Sequence, residues 1–265
     1  MSCNKHPLEI LSLRYPQLRL PIEDGMHETE LYKNSVLRGV DPGDEYSLQF
    51  SLSDEDTLEL QETPAGKAEI LYLKDRQDFE HCVRALAYRC DNREIPPSMG
   101  AIAISGLINW EKIRNNDENF KDSIIILSGG EYSAVPADKI GLTPEEWLEK
   151  SVTIRKYHEL AHFVSRRLYK ENKSTIRDEV LADMTGLISA FGEYDTFKAK
   201  LFLGTEGKEY RKGGRLENYE SAESMPELMK KTNKMIDNFA LMIDNISGTD
   251  AFNALTYMEI NKINL

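Results

Sequence analysis

Two neighbouring helical stripes constrain this chain more than any other feature. "YHELAH" at 157–162 sets His158 and His162 four residues apart, with Glu159 directly after the first. "RDEVLADMTG" at 177–186 sets Glu179 four residues before Asp183. On a helix, residues i and i+4 project from one face, a turn apart. Two imidazoles so placed can approach one metal ion at about 2.0–2.1 Å each. Glu159 is offset by about 100° around the helix. It therefore cannot be a third ligand, but it can lean over the open coordination position and take a proton from water there. With 5 histidines and 45 acidic residues in 265, chance places such a motif about 0.016 times. The competing reading is a solvated His-Glu-His helix face.

The second stripe shifts that balance. Catalytic zinc sites with two histidines usually take a third protein ligand and leave the fourth position to water. Glu179 is placed to be that ligand. Asp183, a turn further on, can accept the free ring N–H of a metal-binding histidine, most directly His158, and so fix its tautomer. Ala182 and Gly186 lie on the same stripe and are small enough for one helix to approach the other closely.

The flanking patterns supply helix boundaries. "TPEE" opens a helix with Thr143 as N-cap, Pro144 at the first position and Glu146 closing a capping box. That helix reads through Trp147, Leu148, Val152, His158, His162 and Leu168, with a break expected near Lys150–Thr153. A second start at "STIRD" has Thr175 or Ser174 as cap and Asp178 in the first turn, and the helix runs to about Phe191 with Gly192 just beyond. "MPELMKKTNKMIDNFALMIDNI" and "DAFNALTYMEINKI" are further helices.

Upstream, "EYSLQFSLS", "TLELQE" and "AEILYL" read as strands, and "DRQDFEHCVRALAYRC" as an amphipathic helix with Cys82 inside it. "SIIILSGGEYSAV" reads as a hairpin, Ile124–Leu127 turning at Gly129-Gly130 into Glu131–Val135 before Pro136. The expected class is α+β. The expected organisation is a β-rich segment at 1–66, an α/β part with an edge hairpin at 67–142, and a helical part with the metal site at 143–265. The last two can form one domain from 67 onward.

Composition excludes several functions. The net charge of −12 argues against a nucleic-acid partner. No apolar run reaches the roughly 20 residues of a membrane span, and the N-terminus has no secretory pattern. Three cysteines, Cys3, Cys82 and Cys90, without framework spacing suit reduced thiols in the cytoplasm. No Lys-Ser/Thr pair follows Gly129-Gly130, so it is no phosphate loop, and no nucleophilic serine elbow appears.

HELAH, sixteen residues, then EVLAD resembles the gluzincin type of zinc metallopeptidase, whose familiar member is thermolysin. The resemblance covers roughly 143–192. It implies a zincin-like fold, Zn2+ held by His158, His162 and Glu179, Glu159 as general base and acid, and Asp183 orienting a ligand. It also implies an edge strand before the active-site helix and hydrolysis of a peptide or protein substrate. The family needs a donor to the oxyanion, for which Tyr210, Arg215 and Tyr219 in "EYRKGGRLENY" are candidates on a Gly-rich loop. Peptide deformylases share His-Glu-x-x-His with an upstream Cys ligand, but "YRCDNRE" around Cys90 lacks their motif. The alternative is a zincin-fold binding or regulatory module without physiological proteolysis.

Overall fold

The computed structural model describes residues 5–97, 99–170, 175–219, 224–243 and 250–261; Cys3 and Ser174 lie outside them. The chain is α+β, with helices predominating and one mixed four-stranded sheet. It divides into two compact units, residues 1–61 with 67–129, and residues 62–66 with 130–265. Residues 130–142 thus belong with the helices that follow them.

The first unit opens on α1 (Pro7–Arg14), capped by His6, whose ring accepts the Leu8 N–H. A short α2 (Glu30–Tyr32) continues as a π-helical turn, Lys33–Leu37. Then come β1 (Thr57–Thr63), β2 (Gly66–Leu73), α3 (Arg76–Leu86), β3 (Ala101–Ile108), α4 (Trp110–Arg114) and β4 (Lys121–Ser128). The strand order is β1-β2-β4-β3, with β4 parallel to β2 and antiparallel to β3. The unbroken apolar run Ile124–Leu127 suits this central strand, and all four residues are buried. Leu8, Leu11 and Tyr15 share one core with Phe79, Cys82, Val83 and Ile126.

Two strand expectations fail here. The described residues of 5–66 are not β-rich: residues 7–37 carry helical segments, and "EYSLQFSLS" forms no strand. Its Ser51 N–H and hydroxyl bond the Asp78 carboxylate, and Leu52 is left-handed at φ 56°. Leu48, Phe50 and Leu52 still pack on the core, which accounts for the apolar alternation without a strand. The hairpin at Gly129-Gly130 also fails. β4 forms, but Tyr132–Ala134 is a 3-10 turn with Ser133 at φ 54°. β4 is paired on both sides by β2 and β3, so no edge remains for a return strand.

The second unit holds α5 (Ala137–Ile140), α6 (Pro144–Tyr169), α7 (Ile176–Phe191), α8 (Thr196–Leu203), α9 (Met225–Ile243) and α10 (Ala251–Ile260). The capping box of Thr143 with Glu146 forms on α6 as the sequence implies, and Thr175 is the cap of α7, where it also forms a capping box with Asp178. Gly192 ends α7 in the left-handed conformation that a helix C-terminus favours. No break interrupts α6 near Lys150–Thr153. Ser151 is wholly buried there and accepts the Tyr132 N–H, while Lys150 bonds the Ala190 carbonyl. Trp147, Ile154, Val164, Val180, Leu187, Phe202 and Leu255 build the core.

Among the described residues, no helix is long and apolar enough to cross a membrane. Cys82 and Cys90 are buried and free, and burial pushes the Cys90 thiol up to about 12.

The α6–α7 contact generates a test. A Cβ on Gly186 would lie 2.7 Å from the Ile154 carbonyl oxygen and 2.9 Å from its Cγ2. Alanine is the better helix former by about 1 kcal/mol, but here it forces the helices apart. Gly186→Ala should therefore cost a net 1–2 kcal/mol or so in urea unfolding. An unchanged or raised midpoint would mean that the helices do not touch at this glycine.

Candidate metal centre

α6 and α7 place their polar stripes face to face. His158 and His162 come from α6, and Glu179 and Asp183 from α7. All four are buried, although polar residues on solvated helix faces are normally exposed. The two stripes are therefore not a solvated helix face.

His158 Nε2 lies 3.2 Å from His162 Nε2 and 3.4 Å from Glu179 Oε2, and His162 Nε2 lies 3.4 Å from Glu179 Oε1. Donors held 2.0–2.1 Å from a tetrahedral zinc stand about 3.3 Å from one another. The three side chains therefore already have the spacing of three corners of such a site. These residues form the His/Glu group able to hold a metal ion among the described residues.

Asp183 is 1% exposed, and its Oδ1 lies 2.9 Å from His158 Nδ1. A carboxylate there accepts a hydrogen bond from Nδ1–H and leaves Nε2 to face the other ligands. Tyr132 joins this contact, its hydroxyl donating to Asp183 Oδ1 at 2.6 Å and lying 2.9 Å from His158 Nδ1. The sequence carried no signal for Tyr132. It lies outside the two stripes and comes to them only through the left-handed turn at Ser133 and Ala134.

The three loop candidates go to different places. Arg215 is at the site, but it is committed to the carboxylates. Its Nη2 donates to Glu179 Oε2 at 3.1 Å, and its Nη1 to Asp183 Oδ1 at 3.0 Å and to the Tyr132 hydroxyl at 2.9 Å. Tyr219 is also at the site, its phenol hydrogen-bonded to Glu179 and its pKa raised by burial. Tyr210 is not brought to the ligands. Its hydroxyl donates to the Gly214 carbonyl at 2.6 Å and closes its own loop, and its ring packs near Leu216 and Met229. Glu159 is partly exposed, and its carboxylate has no hydrogen-bond or ion-pair partner among the described residues.

The electrostatics are those of a compensated cluster. Burial alone would push His158 down. Hydrogen bonds to Asp183 and Glu179, with their charges, outweigh it and lift the imidazole to about 9. Burial would raise Glu179 and Asp183, but both are held well below the ordinary carboxylate range. For Glu179 the histidine hydrogen bonds outweigh burial, and for Asp183 the Arg215 charge does so first.

Residues 2–120 and 112–261 match the model of a family of unknown function, DUF7005, and the chain belongs to that family. No curated protein and no solved structure matches it.

The raised His158 pKa sets a pH dependence for the metal-free protein. The ordinary value is 6.5 and the folded value about 9, so folding takes up a proton between them. That stabilisation is complete below about pH 6.5 and is lost as pH rises through about 9. Chelator-treated protein should show a Tm that falls over this window, and His158→Gln should flatten the fall. A wild-type Tm constant from about pH 6.5 to 9.5 would contradict the cluster's charge arrangement.

Proposed function

We propose that this DUF7005 chain is a zinc-dependent metallopeptidase of the gluzincin type, hydrolysing peptide bonds in a peptide or protein substrate. The observation that carries the reading is the donor triangle of His158, His162 and Glu179, with edges of 3.2–3.4 Å. Two imidazoles and one carboxylate are a common donor set of catalytic zinc, which keeps its remaining position open. A set of closed structural ligands would instead be four, usually with thiolates, and both described cysteines belong to the other unit. The zincin-like fold assignment is part of the proposal and rests on the same pair of helices.

When bound, zinc supplies Lewis acidity toward water and toward a peptide carbonyl. Everything else falls to the chain's own residues. Glu159 follows His158 on α6 and has no partner among the described residues, so its carboxylate is available to take a proton from water and return it to the leaving amine. Asp183 holds His158 in the tautomer that presents Nε2. Arg215 has Nη1 and Nη2 engaged by Glu179, Asp183 and Tyr132, which disfavours it as the oxyanion donor. Tyr219 takes that role in the proposal, its phenol turning from its hydrogen bond with Glu179 toward the oxyanion. A cytoplasmic setting suits the buried free thiols of Cys82 and Cys90, and the charge of −12 disfavours nucleic acid as the substrate.

Metal content and turnover test this reading separately. Purified wild-type protein should hold about one zinc per chain, and His162→Ala should lose it, because two remaining ligands bind far more weakly. Near-stoichiometric zinc in His162→Ala would refute the ligand set. Glu159→Gln should keep the metal and lose hydrolysis of a mixed peptide library by a factor of about 10²–10⁴. Zinc-loaded wild type with no cleavage above Glu159→Gln would make the chain a binding or regulatory module instead.

A further inference from the structure

We propose that Arg215 is a positioning residue that stands in for the metal's charge: it keeps the ligand stripe of α7 assembled in the metal-free protein and, in doing so, holds zinc affinity down. The inference rests on the zinc reading above but concerns a different property of the site.

Glu179 and Asp183 are one turn apart on α7, at 7% and 1% exposure. Like charges at i and i+4 destabilise a helix, and buried carboxylates without compensation cost far more than exposed ones. A metal site built on such a pair commonly gathers only when the cation arrives. Here the compensation is already present. The Arg215 guanidinium spans the pair, reaching Glu179 Oε2 at 3.1 Å and the two Asp183 oxygens at 3.0 and 3.2 Å. The same Nη1 reaches the Tyr132 hydroxyl at 2.9 Å and Ser133 Oγ at 3.1 Å, and the guanidinium lies 5.2 Å from the centre of the Tyr132 ring.

One group therefore touches a ligand, the acid that orients another ligand, and the tyrosine beside them. Lysine could not span both carboxylates in this way, since its charge sits on one nitrogen rather than on a planar fork. The loop presenting Arg215 is tightly fixed. Arg211 donates its N–H to Gly204 and Tyr210 donates to Gly214. A Cβ on Gly214 would meet the Leu203 carbonyl at 2.8 Å. The Tyr210 hydroxyl, absent from the ligands, thus anchors the loop that delivers the cation.

The consequence has a sign. A dication entering the triangle comes next to a charge of its own sign, so Arg215 and zinc oppose each other. A residue that merely supported the fold would, when lost, lower stability equally with and without zinc. One that simply aligned ligands would weaken zinc binding when lost. The proposal requires the reverse of both.

The experiment measures zinc affinity by competition with a chromophoric chelator, and Tm with and without zinc, for wild type, Arg215→Gln and Arg215→Lys. Wild type should stay folded after chelation. Arg215→Gln should have a lower metal-free Tm and bind zinc at least about tenfold tighter, so that zinc raises its Tm about 3–5 °C more than it raises that of wild type. Arg215→Lys keeps the charge but not the fork that spans both acids, so its zinc affinity should fall between those of wild type and Arg215→Gln. Equal or weaker zinc binding by Arg215→Gln would overturn the proposal, as would Arg215→Lys binding zinc no tighter than wild type. If Arg215→Gln folds only with zinc, the proposal stands in its strongest form. If it folds in neither condition, the Arg215→Lys affinity decides. A wild type that binds no zinc sinks the metal reading and this inference together, whereas a wild type that binds zinc beside an unchanged Arg215→Gln sinks only this one.

Discussion

The contact of α6 with α7 at Gly186 is the constraint on which the rest of the second unit depends. With Ile154 as close as it is to that glycine, the two axes are held nearer than any larger side chain permits. Ala182, wholly buried, lies one turn away on the same face. This approach brings a carboxylate on one helix within 3.4 Å of imidazole nitrogens on the other. Were the helices separated by an ordinary aliphatic layer, Glu179 and the histidines would stand apart as independent surface groups.

Such closeness would be electrostatically costly if the stripes carried only acids and neutral rings. The structure offsets this locally. Asp183 Oδ1 receives the Tyr132 hydroxyl, His158 Nδ1 and Arg215 Nη1 together. Tyr132 gets there through two consecutive left-handed residues, Ser133 at φ 54° and Ala134 at φ 53°. Non-glycine residues in that region cost of order 1 kcal/mol or more each. The return is a buried phenol whose ring is flanked by Arg215 and Arg155 and whose backbone N–H is fixed to Ser151 on α6. Strain in the backbone and order in the cluster are two aspects of one local arrangement.

Glu159 belongs to the same helix as the histidines but faces differently, and the contrast is informative. Each of the neighbouring acids Glu179 and Asp183 is bound by several donors, which holds it ionised and immobile. Glu159 has no such partner among the described residues. One pair of helices thus carries two kinds of carboxylate: Glu179 and Asp183 bound by several donors, and Glu159 bound by none among the described residues.

What could be read along the chain was whatever depends on local periodicity and local hydrogen bonds. The capping box at Thr143, a cap at Thr175, the helices they open, the apolar centre of β4, and the i, i+4 spacing of His158–His162 and Glu179–Asp183 are all of this kind. Helix dihedrals and side-chain spacing are set within a few residues, so the sequence by itself determined them. The hairpin after Gly129-Gly130, the strand at 45–53 and the break in α6 were misread because local pattern cannot say which backbone groups will find partners elsewhere. β4 had no free edge, Ser51 bonded Asp78, and Ser151 was held by Tyr132. Only the tertiary structure decided that Tyr132 enters the cluster, that Tyr210 stays out of it, and that Arg215 bonds two acids. Tyr132 and Arg215 meet the acids across dozens of positions, fixed by packing and by the need to compensate buried charge, while Tyr210 is held by its own loop at Gly214, and no spacing along the chain encodes these choices.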